Sequence, residues 1–125
     1  MLREVRDVQQ VPGERPRRWF FSHDADLWVW FGEDNVPVTF QLAYGKYRDE
    51  HAIRWKAETG FAHYKVDAGV YGREAPLLFA DGPFPAATVI EHFRKLAGEV
   101  PQEIVGFVCE CLRQHPEFRD DSSAM

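Results

Sequence analysis

The chain has 125 residues, of which 45% are hydrophobic and 28% are charged, and its net charge is −5. These values fit one globular domain with a core of its own, and the negative charge disfavours wholesale binding to nucleic acid or to an anionic membrane. No apolar run approaches the roughly 18 residues of a membrane span. The N-terminus does not resemble a signal peptide, and because the chain has only two cysteines we expect a reducing, cytoplasmic location.

The chain divides into three parts by composition. Residues 1–16 have mixed charge and end in a segment rich in proline, so we expect a flexible or loosely docked lead-in. Residues 17–116 are predicted to form a single domain, and residues 117–125 are predicted to be a disordered tail. The basic residues Arg15, Arg17 and Arg18, at the start of the domain, are interpreted as a solvated strand edge.

Residues 26–44 predict a β-hairpin, against which the other elements can be placed. Apolar side chains alternate with a period of two on either side of a turn-rich segment, residues 32–37. Pairing Gly32 with Pro37 gives each strand two different faces, here named the apolar face and the tryptophan face. The predicted pairs are Phe31/Val38, Val29/Phe40 and Leu27/Leu42 on the apolar face, and Trp30/Thr39 and Trp28/Gln41 on the tryptophan face.

Further strands are predicted before and after this hairpin. Residues 17–22 form a strand before it, residues 51–57 and 61–66 form two strands after it, and residues 76–80 form a short sixth strand. Thr59 and Gly60 are predicted as a two-residue hairpin loop, with Glu58 opposite Phe61. The resulting pairs are Phe20/Leu27, Trp19/Trp28, Phe21/Asp26, Tyr44/His51, Leu42/Ile53, Phe40/Trp55, Gln41/Arg54, Thr39/Lys56, Trp55/Tyr64, Ile53/Val66, Lys56/His63 and Arg54/Lys65.

Two helices are predicted after the strands. The first begins near Pro85 and ends at Gly98, and the second begins at Pro101 and ends before Pro116. Gly106 inside the second helix costs about 1 kcal/mol relative to alanine, so we interpret it as a close contact. Since both helices have an apolar stripe, the predicted fold class is α+β, with an antiparallel meander of five to six strands followed by two C-terminal helices packed on the apolar face.

Two short motifs resemble catalytic or metal-binding patterns, but their spacing does not support that chemistry. Cys109 and Cys111 would point about 200° apart on a helix, so they cannot bind one metal or form a disulfide with each other. Cys111 is predicted to be a core residue and Cys109 a semi-buried thiol. The run Ser22-His23-Asp24 has the residue types of a hydrolase triad, but such a triad is defined by geometry, and these are predicted to be turn residues.

The histidines do not predict a metal site. The five histidines lack a ligand-like spacing, and His51 and His63 fall on opposite faces in the predicted register. The turn at Asp81-Gly82-Pro83 is not a phosphate-binding loop, because proline lacks the N–H that a phosphate would need. We therefore predict no metal, no cofactor and no identifiable catalytic residue.

The tryptophan face is the strongest functional signal in the sequence. Aromatic and cationic side chains on a face of an acidic protein favour a binding surface, because aromatic residues and arginine are enriched at interface centres. The like-charge pair of Arg54 and Lys65 would be destabilising without a nearby negative group. In the structural alternative, the tryptophans pack on one another or on the N-terminal segment. The predicted binding residues are Trp19, Trp28, Trp30, Gln41, Arg54, Lys56, His63 and Lys65.

Three functions are compatible with these patterns. The first is a small, non-enzymatic interaction domain that forms a homodimer through the tryptophan face, or binds an anionic ligand or an acidic protein there. The second is a small enzyme with an acid/base site on the open sheet face, at His63 with Tyr47 or Asp26. The third, binding of nucleic acid, is disfavoured by the net charge and would use Arg17, Arg18, Arg54 and Lys65.

Two segments also carry a resemblance. The hairpin W-V-W-F…P-V-x-F-Q-L-x-Y and the segment LLFADGPFPAATVIEHF are similar to a pattern in a family of small uncharacterised bacterial proteins. The similarity covers residues 17–110, approximately. Because no activity is attached to that family, the resemblance implies a shared fold and no particular function.

Overall fold

The protein is described from a computed structural model that covers residues 1–45, 50–67, 77–80 and 85–116, with only the backbone described at 64–67 and 77–80. Tyr47 and the predicted C-terminal tail lie outside these ranges. The strands are β1 (Arg3–Glu4), β2 (Arg17–Phe21), β3 (Ala25–Phe31), β4 (Pro37–Tyr44), β5 (His51–Lys56), β6 (Gly60–Asp67) and β7 (Leu77–Ala80), and the helices are α1 (Ala86–Leu96) and α2 (Gln102–Arg113).

The described strands form one antiparallel sheet whose order in space is their order in the sequence. Each strand pairs with the next one along the chain, so the sheet is a meander. The six predicted strands are present, together with the two-residue strand β1. The predicted fold class, a meander followed by two helices, is confirmed.

Most of the predicted strand register is also confirmed. Trp19 lies opposite Trp28, and Trp28 lies opposite Gln41. Gln41 in turn lies opposite Arg54, and the pairs Phe40/Trp55, Leu42/Ile53, Thr39/Lys56 and Tyr44/His51 are as predicted. The division of β2, β3, β4 and β5 into an apolar face and a tryptophan face is therefore correct.

The end of the central hairpin differs from the prediction. Phe31 pairs with Pro37, where we predicted Val38, and a β-bulge lies between Trp30 and Phe31. Asp34 and Asn35 both adopt a left-handed conformation, with φ of 58° and 61°, which these two residue types tolerate better than most. The turn they make shifts the closing pair by one residue and leaves the rest of the register unchanged.

The predicted register between β5 and β6 is wrong by three residues. Lys56 pairs with Gly60, and Trp55 pairs with Phe61. A two-residue loop of type I′ would require a positive φ at Thr59, which is unfavourable for a β-branched residue. The loop is longer: the Thr59 N–H donates to the Lys56 carbonyl at 3.2 Å, and Gly60 follows with φ of +83°.

This shift exchanges the two faces of β6, because an odd shift moves every side chain to the other side of a strand. Ile53 on the apolar face now pairs with His63, and Arg54 on the tryptophan face pairs with Ala62. Lys65 pairs with His51. The predicted pairs Trp55/Tyr64, Ile53/Val66, Lys56/His63 and Arg54/Lys65 are therefore wrong.

The start of the chain is docked, where we expected a flexible or loosely docked lead-in. Leu2 is completely buried, and its N–H donates to the Leu96 carbonyl at 2.7 Å while its carbonyl accepts from the Glu99 N–H at 2.9 Å. Glu4 forms an ion pair with Arg18 at 2.6 Å. The lead-in thus joins the edge of the sheet to the segment between the helices.

The helices cover the apolar face, as predicted. Val29 and Phe40 are completely buried in one core cluster with Phe93 of α1 and Val108 of α2. Phe107 of α2 also lies edge-on to Phe40, with ring centroids 5.9 Å apart. Full burial of a large apolar side chain is worth about 1.5–3 kcal/mol, so this shared cluster is the main attachment of the helices to the sheet.

Two details of the helices need correction. Gly106 does not mark a close contact, because a Cβ there would meet no atom within 4 Å among the described residues. Cys109, predicted to be semi-buried, is only 3% exposed, and Cys111 is buried as predicted. Both thiols are free, and burial raises the pKa of both, that of Cys111 to about 11.

Candidate functional site

The tryptophan face has a stacked aromatic row at its centre. The rings of Trp19 and Trp28 lie 4.9 Å apart and within 4° of parallel, and Trp30 follows at 6.2 Å from Trp28. Phe21 lies edge-on to Trp19 at 5.8 Å. Strand alternation on β2 and β3, together with their direct pairing, places these four rings side by side.

These rings are partly buried against one another and partly exposed to solvent. The three tryptophans are half-buried because each covers part of its neighbour, whereas Phe21 is 45% exposed. The structural alternative, in which the tryptophans pack on one another, is therefore partly correct. The aromatic row remains partly in contact with solvent, and a cluster of exposed aromatic side chains is consistent with an interaction surface.

One cation belongs to the aromatic row and was not among the predicted binding residues. The Arg17 guanidinium lies 4.9 Å from the centre of the Trp28 ring, a cation–π geometry, and also donates to the Gln9 carbonyl. The signal was present in the sequence, since two-residue alternation along β2 puts Arg17 on the same face as Trp19. We missed this role because we interpreted Arg15, Arg17 and Arg18 together as one solvated edge. In the structure Arg18 lies on the other face and pairs with Glu4.

The side of the tryptophan face near β5 is polar. Arg54 donates through Nε to the Gln41 side-chain oxygen at 2.8 Å, and its Nη2 donates to the same oxygen. Beside this pair, a groove of about 420 Å³ is lined by Trp30, Arg54 and Lys56. Thr39 lines it from β4, and the segment Gly13-Glu14-Arg15 borders it. Three cations and one carboxylate therefore surround the exposed edge of Trp30.

Only part of the sheet's outer surface is open. Ala43 and Ala52, which pair with each other on this face, are 8% and 0% exposed and form a small cluster separate from the main core. Asp26 lies opposite Ala43. The candidate surface therefore comprises the aromatic row and the cationic groove, and at this end of the strands it includes Phe21 of β2 but not Ala43 or Ala52 of β4 and β5.

The structure does not place all eight predicted binding residues together. It brings Trp19, Trp28, Trp30, Gln41, Arg54 and Lys56 onto the tryptophan face. His63 and Lys65 do not belong to it, because the true register puts His63 opposite Ile53 and Lys65 opposite His51. The predicted like-charge pair of Arg54 and Lys65 does not form.

His63 lies in a polar cluster at the margin of the apolar face. Its Nε2 is 2.6 Å from the Tyr44 hydroxyl oxygen, and the ring of His51 stacks on both, at 5.3 Å from His63 and 5.7 Å from Tyr44. The sequence prediction separated His51 from His63 because it used the wrong β6 register. Asp26, one predicted partner of His63, is on the opposite face of the sheet.

Two further patterns singled out in the sequence, the Ser22-His23-Asp24 run and the four basic residues, do not form a functional site. The Ser22 hydroxyl donates to the Ala25 carbonyl and accepts from the Ala25 N–H, both at 3.0 Å, which closes the β2–β3 connection. The four basic residues of the nucleic-acid hypothesis do not share a face, since Arg17 and Arg54 lie on one side and Arg18 on the other.

No group of histidine, cysteine, aspartate or glutamate side chains in the described part of the chain could hold a metal ion. Within the same residues, neither helix has the length and apolar character needed to cross a bilayer. Compared with known proteins, the chain matches no family model, and it has no significant similarity to a curated protein or to a solved structure.

Proposed function

We propose that this protein is an interaction domain that self-associates through the tryptophan face. The observation that supports the proposal is the solvent-facing aromatic row, Phe21, Trp19, Trp28 and Trp30, on the side of the sheet that the helices leave uncovered. Tryptophan is among the residues that contribute most to binding energy at interface centres. Burying this row in a second copy would remove its remaining contact with water.

The arrangement of charge favours one geometry for the contact. A two-fold contact brings the same patch of both copies together, so a contact centred on Lys56 and Arg54 would oppose like charges. A contact centred on Phe21 and Trp19 keeps Lys56 and Arg54 away from the axis, since the cationic groove lies toward β5. Asp26, opposite Phe21, supplies a carboxylate on the same face as the remaining cations Arg3 and Arg17. We therefore place the symmetry axis near the β2 end of the aromatic row.

The first experiment measures oligomeric state by sedimentation velocity over a range of protein concentrations. We expect the wild type to form dimers and Phe21→Glu to be monomeric, because the new carboxylate would be desolvated at the centre of the contact. The double variant Trp28→Ala, Trp30→Ala should also be monomeric. Val36→Glu is the matched control, because Val36 is a comparably exposed apolar residue, at 54%, in the hairpin turn.

Two results would contradict the proposal. A wild-type protein that stays monomeric up to its solubility limit does not use this face for self-association. Dimers that persist in Phe21→Glu use another surface. Circular dichroism melts of each variant show whether it is folded, and if the double variant unfolds, the tryptophans are required for the core and the test rests on Phe21→Glu.

A second candidate function is supported by the cationic groove beside Trp30. Arg15, Arg54 and Lys56 line a groove with one carboxylate, Glu14, so an anionic ligand or an acidic peptide fits its charge. Binding of a fluorescent poly-glutamate peptide should weaken with added salt and with the charge reversal Lys56→Glu. Equal binding by Lys56→Glu would exclude the groove, and the dimer measurement above does not depend on this result.

A further inference from the structure

A cavity that has no part in the proposed function lies on the apolar side of the sheet, opposite the tryptophan face. A space of about 240 Å³ lies between β4 and α1, lined by Leu42, Val89, Phe93 and Ala25. These four side chains are only 1–4% exposed, yet they border open volume. An apolar molecule that entered this space would displace water from apolar side chains and gain contacts with them.

The volume of the cavity limits the size of an occupant. It is larger than the engineered apolar cavity of roughly 150 Å³ that binds benzene, and smaller than the roughly 300–1,000 Å³ of pockets for drug-sized ligands. A single medium-length alkyl chain or one substituted ring falls between these limits. Because aliphatic and phenyl groups line the cavity, it favours an apolar ligand or the apolar part of a ligand.

Polar groups are confined to the mouth of the cavity. Thr88 and His92, four residues apart on one side of α1, are exposed there. Across from them, the half-buried Tyr44 also lines the space, and its hydroxyl is 2.6 Å from His63 Nε2. Hydroxyl and imidazole groups can donate hydrogen bonds, and none of the described residues that line the cavity is acidic. A carboxylate at the mouth would meet donors and, among these described lining residues, no like charge.

We propose that this cavity binds a small amphiphilic carboxylate, with its apolar chain between β4 and α1 and its head group at Tyr44 and His92. The site is independent of the tryptophan face, which lies on the other side of the sheet. The four lining residues and the polar mouth are contributed by one copy of the chain, so binding does not require self-association.

Titration calorimetry with octanoate tests the proposal, with 1-octanol as the uncharged probe of equal chain length. We expect octanoate to bind the wild type, and Val89→Phe to weaken binding at least tenfold because the larger side chain occupies the cavity. Tyr44→Phe should weaken octanoate binding roughly 10- to 100-fold, as expected for the loss of one hydrogen bond to a charged group, and should weaken octanol binding less, because the octanol hydroxyl is an uncharged acceptor. Val36→Glu, an exposed position in the hairpin turn that does not line the cavity, is the control that should bind octanoate like the wild type.

Nuclear magnetic resonance of the wild type gives a second measurement that needs no variant. Octanoate should shift the signals of Ala25, Val89 and Phe93 and leave those of Trp28 and Trp30 unchanged. Absence of binding, shifts confined to the tryptophan face, or unchanged affinity in a folded Val89→Phe variant would each overturn the proposal. Equal affinity for octanol and octanoate would overturn the assignment of the head group.

Discussion

At the scale of single residues, Gly98 determines how the end of α1 meets the start of the chain. Its φ is +50°, in the left-handed region where glycine is favoured. A Cβ at this position would lie 2.5 Å from the Leu2 carbonyl oxygen, which is the atom that accepts from the Glu99 N–H. Glycine is therefore required here by both conformation and space.

A pair of glycine substitutions tests this requirement. Gly98→Ala should destabilise the protein by at least about 1–2 kcal/mol, the cost of a left-handed alanine, and more if the Leu2 contacts are displaced. Gly106→Ala is the matched control and should stabilise it by up to about 1 kcal/mol, because Gly106 is in an exposed helix position with open space around it. Urea unfolding of both variants measures the difference, and equal effects would contradict this account.

At the scale of elements, β1 is fixed to the sheet by an ion pair as well as by Leu2. Two guanidinium nitrogens of Arg18 donate to the Glu4 carboxylate, at 2.7 and 2.6 Å. The hydrogen bonds from Arg18, more than its charge, hold the pKa of the Glu4 carboxyl below its ordinary value. Both side chains are about one-third exposed, so solvent screens the interaction and limits it to less than about 1 kcal/mol.

The lowered pKa of Glu4 predicts how this stabilisation depends on pH. It is present above the pKa that Glu4 has in the unfolded chain, and it is lost as pH falls through the lower pKa of the folded state. Glu4→Gln should therefore lower the melting temperature at pH 7 and have no effect in strong acid, as thermal scans at both pH values would show. Glu91→Gln, in the exposed pair with Lys95, is the control and should have little effect at either pH.

The elements also show which parts of the fold could be predicted from the sequence. The alternation of apolar and other residues determined both faces of β2 to β5, because burial of Val29 and Phe40 strongly favours one register. β6 alternates more weakly, and its register depends on the β5–β6 loop, where Gly60 has the positive φ. The docking of Leu2 could not be predicted, since one leucine in a polar segment has no periodic pattern.

The same limits explain what was missed at the candidate sites. The tryptophan face follows from strand alternation alone, so the aromatic row could be predicted. The cluster of Tyr44, His51 and His63 depends on the β6 register, and the cavity beneath α1 depends on how the helix lies over the sheet. Neither the distance between packed elements nor the space left between them is encoded in a hydrophobic period.

At the scale of the whole molecule, the two buried thiols report on global unfolding. Cys109 and Cys111 are 3% and 8% exposed, and desolvation is the largest cause of the raised pKa of both. Because the thiolate is the reactive form, both should be nearly inert to Ellman's reagent in the folded protein at pH 7. Their labelling rate should rise with denaturant in parallel with loss of the circular dichroism signal, and immediate labelling without denaturant would contradict this.

The contacts of Leu2 also have a consequence for synthesis on the ribosome. Glu4, which follows it, bonds to the side chain of Glu99, a separation of 95 residues, and Leu2 itself bonds to Leu96 and Glu99. β1 therefore has no complete binding site until the segment with Leu96 and Glu99 has been made. Until then, the open edge of β2 is a candidate for wrong pairing between nascent chains, and the docking of β1 is the step that ends this exposure.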